Sequence, residues 1–255
     1  MNYRTLRLQN IFILIAISSC LVLAETVRAS DEALPNIQQQ VDQFQQKMKQ
    51  QKGGPKVTEQ DMALMKKAQD DLARTLPHPG IKVGQKAPDF TLGNADGVPV
   101  HLYEQLKSGP VILIFYRGAW CPYCNIQLHA LQKSLPTFKK YNAQLIAVTP
   151  QTPDKSREQI KKDKYPFQVL SDLKDTVSTK YNLYFRVNQK LNELYKTKFG
   201  LDIEAYNGKG RAGLPVPGSF VVAQDGTIVA MHADLDYKKR MEPVDIVKAL
   251  KTIKK

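Results

Sequence analysis

Apolar positions change their period near residue 81. Before it they are sparse: Ile37, Val41, Phe44 and Met48 recur at helical spacing through a Gln- and Lys-rich stretch, which predicts an amphipathic helix. Lys52-Gly53-Gly54-Pro55 breaks that helix. Thr58 then stands as an N-cap, with Glu59 and Asp61 in the first turn of a second helix carrying Met62, Met65, Leu72 and Leu76. Pro77-His78-Pro79-Gly80 stops it. The Met and Phe stripes read as packing surface, not as a binding box. This extension packs either on the core or on a second subunit, the latter making a homodimer.

From Ile81 the spacing shortens to that of strands. Ala87–Leu92 and Val98–Leu102 flank Gly93-Asn94-Ala95-Asp96-Gly97 and predict a hairpin. Val111-Ile112-Leu113-Ile114-Phe115-Tyr116 is a near-continuous apolar run, the mark of a strand buried on both faces. A helix follows over Cys124–Lys140, with Ile126, Leu128, Leu131 and Leu135 apolar. Gln144–Val148 is a second buried strand, closed by Thr149-Pro150. A charged helix over Lys155–Lys164, a short strand over Phe167–Leu170 and a short helix over Asp175–Tyr181 come next. Residues 184–213 carry a weaker pattern, with a helix over Val187–Lys198 and a loop at Asn207-Gly208-Lys209-Gly210. Ser219–Ala223 and Thr227–His232 about a turn at Asp225-Gly226 predict a second hairpin, and Pro243–Ile253 a last helix. Strand–helix–strand, then hairpin and helix, is the order of an α/β thioredoxin-like fold, a central mixed sheet flanked by helices. The expected division is 1–29, 30–80 and 81–255: leader, N-terminal helical extension and thioredoxin-like domain.

The leader is an export signal by its layout. Arg4 and Arg7 precede an apolar run of fourteen residues, Ile11 to Ala24, too short to span a bilayer comfortably. Val27-Arg28-Ala29 fits a small-x-small cleavage site, which makes Ser30 the mature start and the protein periplasmic or extracellular. Ile17-Ser18-Ser19-Cys20 offers a competing lipoprotein reading, with Cys20 acylated. Against it, the apolar run continues through Leu21–Ala24 where a polar spacer would be expected.

Formal charge is +13 for the whole chain; losing Arg4, Arg7 and Arg28 against Glu25 lowers it by two, to +11. The lysines are dispersed and not interleaved with aromatics, which speaks for a solvated basic surface and against nucleic acid.

Without the leader, Cys121 and Cys124 are the chain's only cysteines. A buried strand that delivers Trp120-Cys121-Pro122-Tyr123-Cys124 to a helix start is a thiol–disulfide site. Three residues apart, the sulfurs can close a disulfide, and the helix N-terminus stabilises a thiolate. Two plainer readings compete. A structural disulfide ordinarily closes a longer loop. A zinc site needs about four ligands, and His78, His101, His129 and His232 show no ligand spacing with the pair. The reading calls for no metal and no cofactor.

Three stretches carry a resemblance: Val83–Leu92 (VGQKAPDFTL), Phe115–Cys124 (FYRGAWCPYC) and Leu214–Val222 (LPVPGSFVV). Over about residues 82–253 the chain resembles the peroxiredoxin (AhpC/TSA) branch of thioredoxin-like proteins, in a subgroup with a C-x-x-C motif. The resemblance implies an exported antioxidant enzyme that reduces hydroperoxides through a reversible Cys121–Cys124 disulfide. Its electrons would come from a dithiol partner of thioredoxin type. Such proteins carry P-x-x-x-T-x-x-C, whose cysteine falls on Cys124; Cys121 then occupies the threonine position and Arg117 the proline position. The family's second arginine falls near Pro217, leaving Arg117 or Arg240 to supply positive charge.

The thioredoxin register reverses the roles: Cys121 becomes an exposed nucleophile, Cys124 the resolving thiol, and Val216-Pro217 a cis-proline loop that binds peptide. That register describes a protein thiol–disulfide oxidoreductase. A third alternative is a non-catalytic binding module whose extension docks a partner. Trp120 is expected to shield one side of the site, and Pro122-Tyr123 to set the thiolate's stability. His129, five residues beyond Cys124, points to a different helix face, and His232 sits in a strand among polar neighbours.

Overall fold

The computed structural model describes residues 33–51 and 53–253; the expected leader, with Cys20 and the start at Ser30, lies outside them. Helix α1 spans Ile37–Gln50, with the Asn36 side chain accepting from the Gln39 amide at its start. Helix α2 spans Glu59–Thr75, and Thr58 and Asp61 cap it reciprocally, so the Thr58 signal holds. Strands β1 (Thr91–Gly93) and β2 (Pro99–His101) form the expected antiparallel hairpin. Helix α3 (Leu102–Ser108) takes Leu102 out of the strand predicted for it. The reason is packing: Leu102 and Leu106, one helical turn apart, are both buried.

Then come β3 (Val111–Phe115), α4 (Pro122–Lys139), β4 (Gln144–Thr149), α5 (Pro153–Asp163), β5 (Gln168–Ser171) and α6 (Thr176–Lys180), each within a few residues of its predicted range. The weakly patterned stretch holds β6 (Tyr184–Arg186), α7 (Gln189–Phe199), α8 (Ile203–Asn207) and β7 (Gly213–Pro215). Asn207 is helical, not loop, because its buried side chain donates to the Gly213 carbonyl at 3.1 Å. Strands β8 (Gly218–Val222) and β9 (Ile228–Ala233) and helix α9 (Pro243–Thr252) complete the order.

The central sheet runs β5-β4-β3-β8-β9. Its β5, β4 and β3 are parallel, while β8 lies antiparallel to both β3 and β9. Every residue of β3 is fully buried, each large apolar side chain contributing roughly 1.5–3 kcal/mol to the core. Phe115, Tyr181 and Phe220 meet edge-on or tilted, with ring centroids 4.8–5.9 Å apart. Gly218 pairs with both Phe115 and Ala233. The ends of β3 and β9, the start of β8 and the end of parallel β4 therefore share one edge, where open α/β sheets place their sites.

The extension packs on this core. Ile37 and Val41 of α1 are buried against Ala130, beside Tyr123 and Ile126 of α4. Leu64, Met65 and Ala68 of α2 pack against Leu191, Leu194 and Leu214. The stripes are narrower than predicted: Met48 and Met62 are about half exposed. No helix of the described residues is long and apolar enough to cross a membrane.

Candidate active site

Cys-Pro-Tyr-Cys encodes its own helix start. Cys121 has extended backbone (φ −88°, ψ 107°) and is the N-cap of α4, Pro122 fills the first helical position, and the Cys124 amide donates to the Cys121 sulfur at 3.4 Å. The cysteine thus does what a serine or threonine does at other helix starts. Upstream, Gly118 has φ +149°, and a Cβ there would lie 2.6 Å from the Trp120 indole nitrogen. Only glycine lets Trp120 fold back over the loop.

Both cysteines are free thiols, and both are buried, Cys121 at 1 % exposure and Cys124 at 0 %. This corrects the expectation of an exposed Cys121. The surrounding rings close over the turn. The Arg117 guanidinium, itself buried, lies between the rings of Trp120 (4.8 Å) and Tyr237 (4.7 Å). Tyr123, between the two cysteines, meets Tyr237 edge-on at 5.5 Å and Phe44 of α1 at 5.4 Å.

Two arginines, not one, attend the sulfurs. Arg240 is buried, and its Nη2 stands 3.7 Å from Cys124 Sγ, the guanidinium being anchored by the carbonyls of Lys239 (2.7 Å) and Tyr237. Burial pushes the Cys124 thiol up, but the Cys121 hydrogen bond, the Arg240 charge and the Arg117 amide and guanidinium outweigh it, bringing Cys124 to about 6. Cys121 moves the other way: burial, then the hydrogen bond to and the charge of Cys124, hold it well above the usual thiol range. Burial opposes the charge on Arg117, yet the neighbouring sulfurs and phenols raise its proton affinity overall. The pair is therefore one thiolate beside one neutral thiol. Arg117 Nε, Arg240 Nε and Trp120 Nε1 are buried without a partner, so the site's walls hold unused donors.

The other predicted residues fall variously. Pro122 is in place at the helix start. Pro217 is buried at the same sheet edge, but its peptide bond is trans, since no cis bond occurs among the described residues. The cis-proline loop of the thioredoxin register is not seen among the described residues; β7 ends at Pro215, and Val216, whose amide donates to the Leu183 carbonyl at 2.7 Å, and Pro217 connect it to β8. His101 and His129 pair with Asp89 (2.6 Å) and Asp163 (3.5 Å), apart from the sulfurs. His232 lies opposite Ser219, which accepts from buried Gln127 one turn beyond Cys124. Its Nε2 has no partner, and burial lowers its pKa. Sequence reasoning missed Tyr237, because nothing in Asp234–Arg240 marks it; the end of β9 brings it to the site.

A family model described as AhpC/TSA family matches residues 83–231, more than half of the chain. The chain is similar to chloroplastic peroxiredoxin Q of Oryza sativa subsp. japonica, at 37% identity over 92 residues, 36% of this chain and 42% of the relative. It is similar also to that of Populus jackii, at 34% over 92 residues, 36% and 43% of the two chains. It thus spans about two fifths of the length of these relatives. Among solved structures it is similar in fold to peroxidoxin BcpB from Mycobacterium tuberculosis, with TM-score 0.54 and 18% identity over 70% of this chain and 100% of that one. Peroxiredoxin 6 of Arenicola marina gives TM-score 0.54 and 14% identity over 68% and 73%. Such neighbours establish the thioredoxin-like fold.

Proposed function

Because the chain belongs to the AhpC/TSA family, we propose that it is an exported thiol-dependent peroxidase in which Cys124 attacks the peroxide and Cys121 resolves the product. One observation carries the reading: the Cys124 sulfur, held by the Cys121 hydrogen bond and by a guanidinium 3.7 Å away, is the thiol of the pair that is lowered, to about 6, while its neighbour is raised. The thiolate displaces ROH from ROOH, the leaving oxygen taking up one proton, and becomes a sulfenic acid. Cys121 then attacks that sulfur. Its own proton and the sulfenic hydroxyl leave as water, and the Cys121–Cys124 disulfide closes. A dithiol protein of thioredoxin type returns the two electrons. Export rests on the layout of residues 1–29, and in an oxidising compartment such a partner is needed to keep the pair reduced.

The oxidoreductase reading needs Cys121 as a reachable thiolate beside a cis proline. Burial of Cys121, its raised proton affinity and the trans Pro217 all count against it. A binding module would leave the arginine beside the sulfur without a purpose.

Stopped-flow oxidation of the reduced protein by hydrogen peroxide tests the assignment. Cys124→Ser should react no faster than a free thiol. Cys121→Ser should form one sulfenic acid, trapped by dimedone and seen by mass spectrometry, without closing a disulfide or turning over. The reverse pattern would sink the assignment.

A further inference from the structure

Ala119, two residues before Cys121, has both of its backbone polar groups held by side chains. Its N–H donates to Gln151 Oε1 at 3.0 Å, and its carbonyl accepts from Asn125 Nδ2 at 2.8 Å. Those side chains are joined through a third amide: Gln151 Nε2 donates to Gln159 Oε1 at 3.2 Å, and Gln159 Nε2 to Asn125 Oδ1 at 3.1 Å. The four bonds close a ring. The Tyr116 hydroxyl braces it, donating to Gln159 Oε1 at 2.9 Å and accepting from Gln151 Nε2 at 3.2 Å. Gln151, Gln159 and Tyr116 are buried.

We propose that Asn125, Gln151 and Gln159 are positioning residues for the redox pair, a clamp that fixes the turn from Trp120 to Cys124 by fastening its two flanks together. The inference deepens the peroxidase reading and rests on Cys124 as the attacking sulfur. Three observations carry it. The ring brackets the motif, with Ala119 before it and Asn125 immediately after Cys124. Its members come from the loop after β3, the start of α4, the segment after β4, and α5, so the loop's register is tied to the elements around it.

The third observation is one of accounting. Each of the three side-chain amides uses both its oxygen and its nitrogen within the ring, while Arg117 Nε, Arg240 Nε and Trp120 Nε1 beside the sulfurs have no partner. Buried polar groups are costly unless satisfied, and a complete network specifies one geometry. Here that geometry is the one in which Cys121 hydrogen-bonds Cys124. Loosening the clamp lets Cys121 drift, which weakens the bond that favours the Cys124 thiolate and separates the sulfurs that must meet to form the disulfide.

The test is the pH dependence of Cys124 alkylation by iodoacetamide, read by mass spectrometry in Gln151→Met, which keeps the side chain's size and deletes its hydrogen bonds. The midpoint should rise by about one pH unit, and disulfide closure after one equivalent of peroxide should slow by about tenfold. Asn125→Ala, at a partly exposed position, should give the same upward shift and serves where Gln151→Met does not fold. A wild-type midpoint in both folded variants would overturn the clamp. Because alkylation needs no peroxidase activity, the midpoint shift stands or falls separately from the peroxidase reading.

Discussion

A guanidinium 3.7 Å from a buried sulfur makes two identical side chains into different reagents. Arg240 reaches Cys124, whereas Cys121 feels burial first, then the hydrogen bond to Cys124 and that neighbour's charge. The departures from P-x-x-x-T-x-x-C are resolved locally. Cys121 fills the threonine's position and accepts the Cys124 amide, and Arg240, far along the chain, supplies a charge that no local motif marks. An opposite charge this close is worth about one to three pH units to a thiol. Cys124 alkylation should therefore rise with pH about a midpoint near 6 in the wild-type protein. Arg240→Met should move that midpoint up by at least about one unit, because losing the cation favours the protonated thiol. An unchanged profile in Arg240→Met would remove the arginine from the site's chemistry.

At the scale of elements, the extension behaves as part of the site's wall. Helix α1 is fastened at its start by Glu242, whose carboxylate accepts from the amides of Ile37 and Gln38, both at 2.7 Å, and from there Phe44 reaches Tyr123. Glu242→Ala should cost about 1 kcal/mol in a urea titration, the usual worth of a helix-end cap, and should speed alkylation of the buried thiols by freeing the helix that covers Tyr123. The elements themselves were largely legible. Val111–Phe115 could only be a buried strand, Thr58 and Asp61 capped the helix they announced, and Cys-Pro-Tyr-Cys marked its own helix start. Within residues 184–213 the helix expected over Val187–Lys198 is present as α7, but the short strands beside it were not legible. Strands β6 and β7 are three residues each, far apart in sequence, and exist through pairing with one another; no period can show in so short a run. Tyr237 and the amide ring escaped for a related reason: polar residues from distant segments become a site only when the sheet edge gathers them.

For the whole molecule, the split thiols make folding stability depend on pH and on redox state. Cys124 titrates at about 6 in the folded protein and at about 8.5 as an ordinary thiol. Between those values the unfolded chain holds more protons than the folded one, so stability of the reduced protein rises with pH across the window. The gain is complete above the unfolded value and is lost as pH falls through the folded one. His232, lowered by burial, acts in the same sense below its ordinary value of about 6.5. The chain's formal charge of +13 adds a background in which deprotonation relieves repulsion. Cys124→Ser separates these contributions, since it removes the thiolate and leaves His232 and the background in place. Urea titrations at pH 6 and pH 8 should show the reduced wild-type protein gaining about 2 kcal/mol more than Cys124→Ser over that interval. The disulfide form, with no thiol to titrate, should track the serine variant. Parallel pH profiles for reduced wild type and Cys124→Ser would mean that Cys124 is an ordinary thiol in the fold, and the electrostatic division between the two cysteines would be wrong.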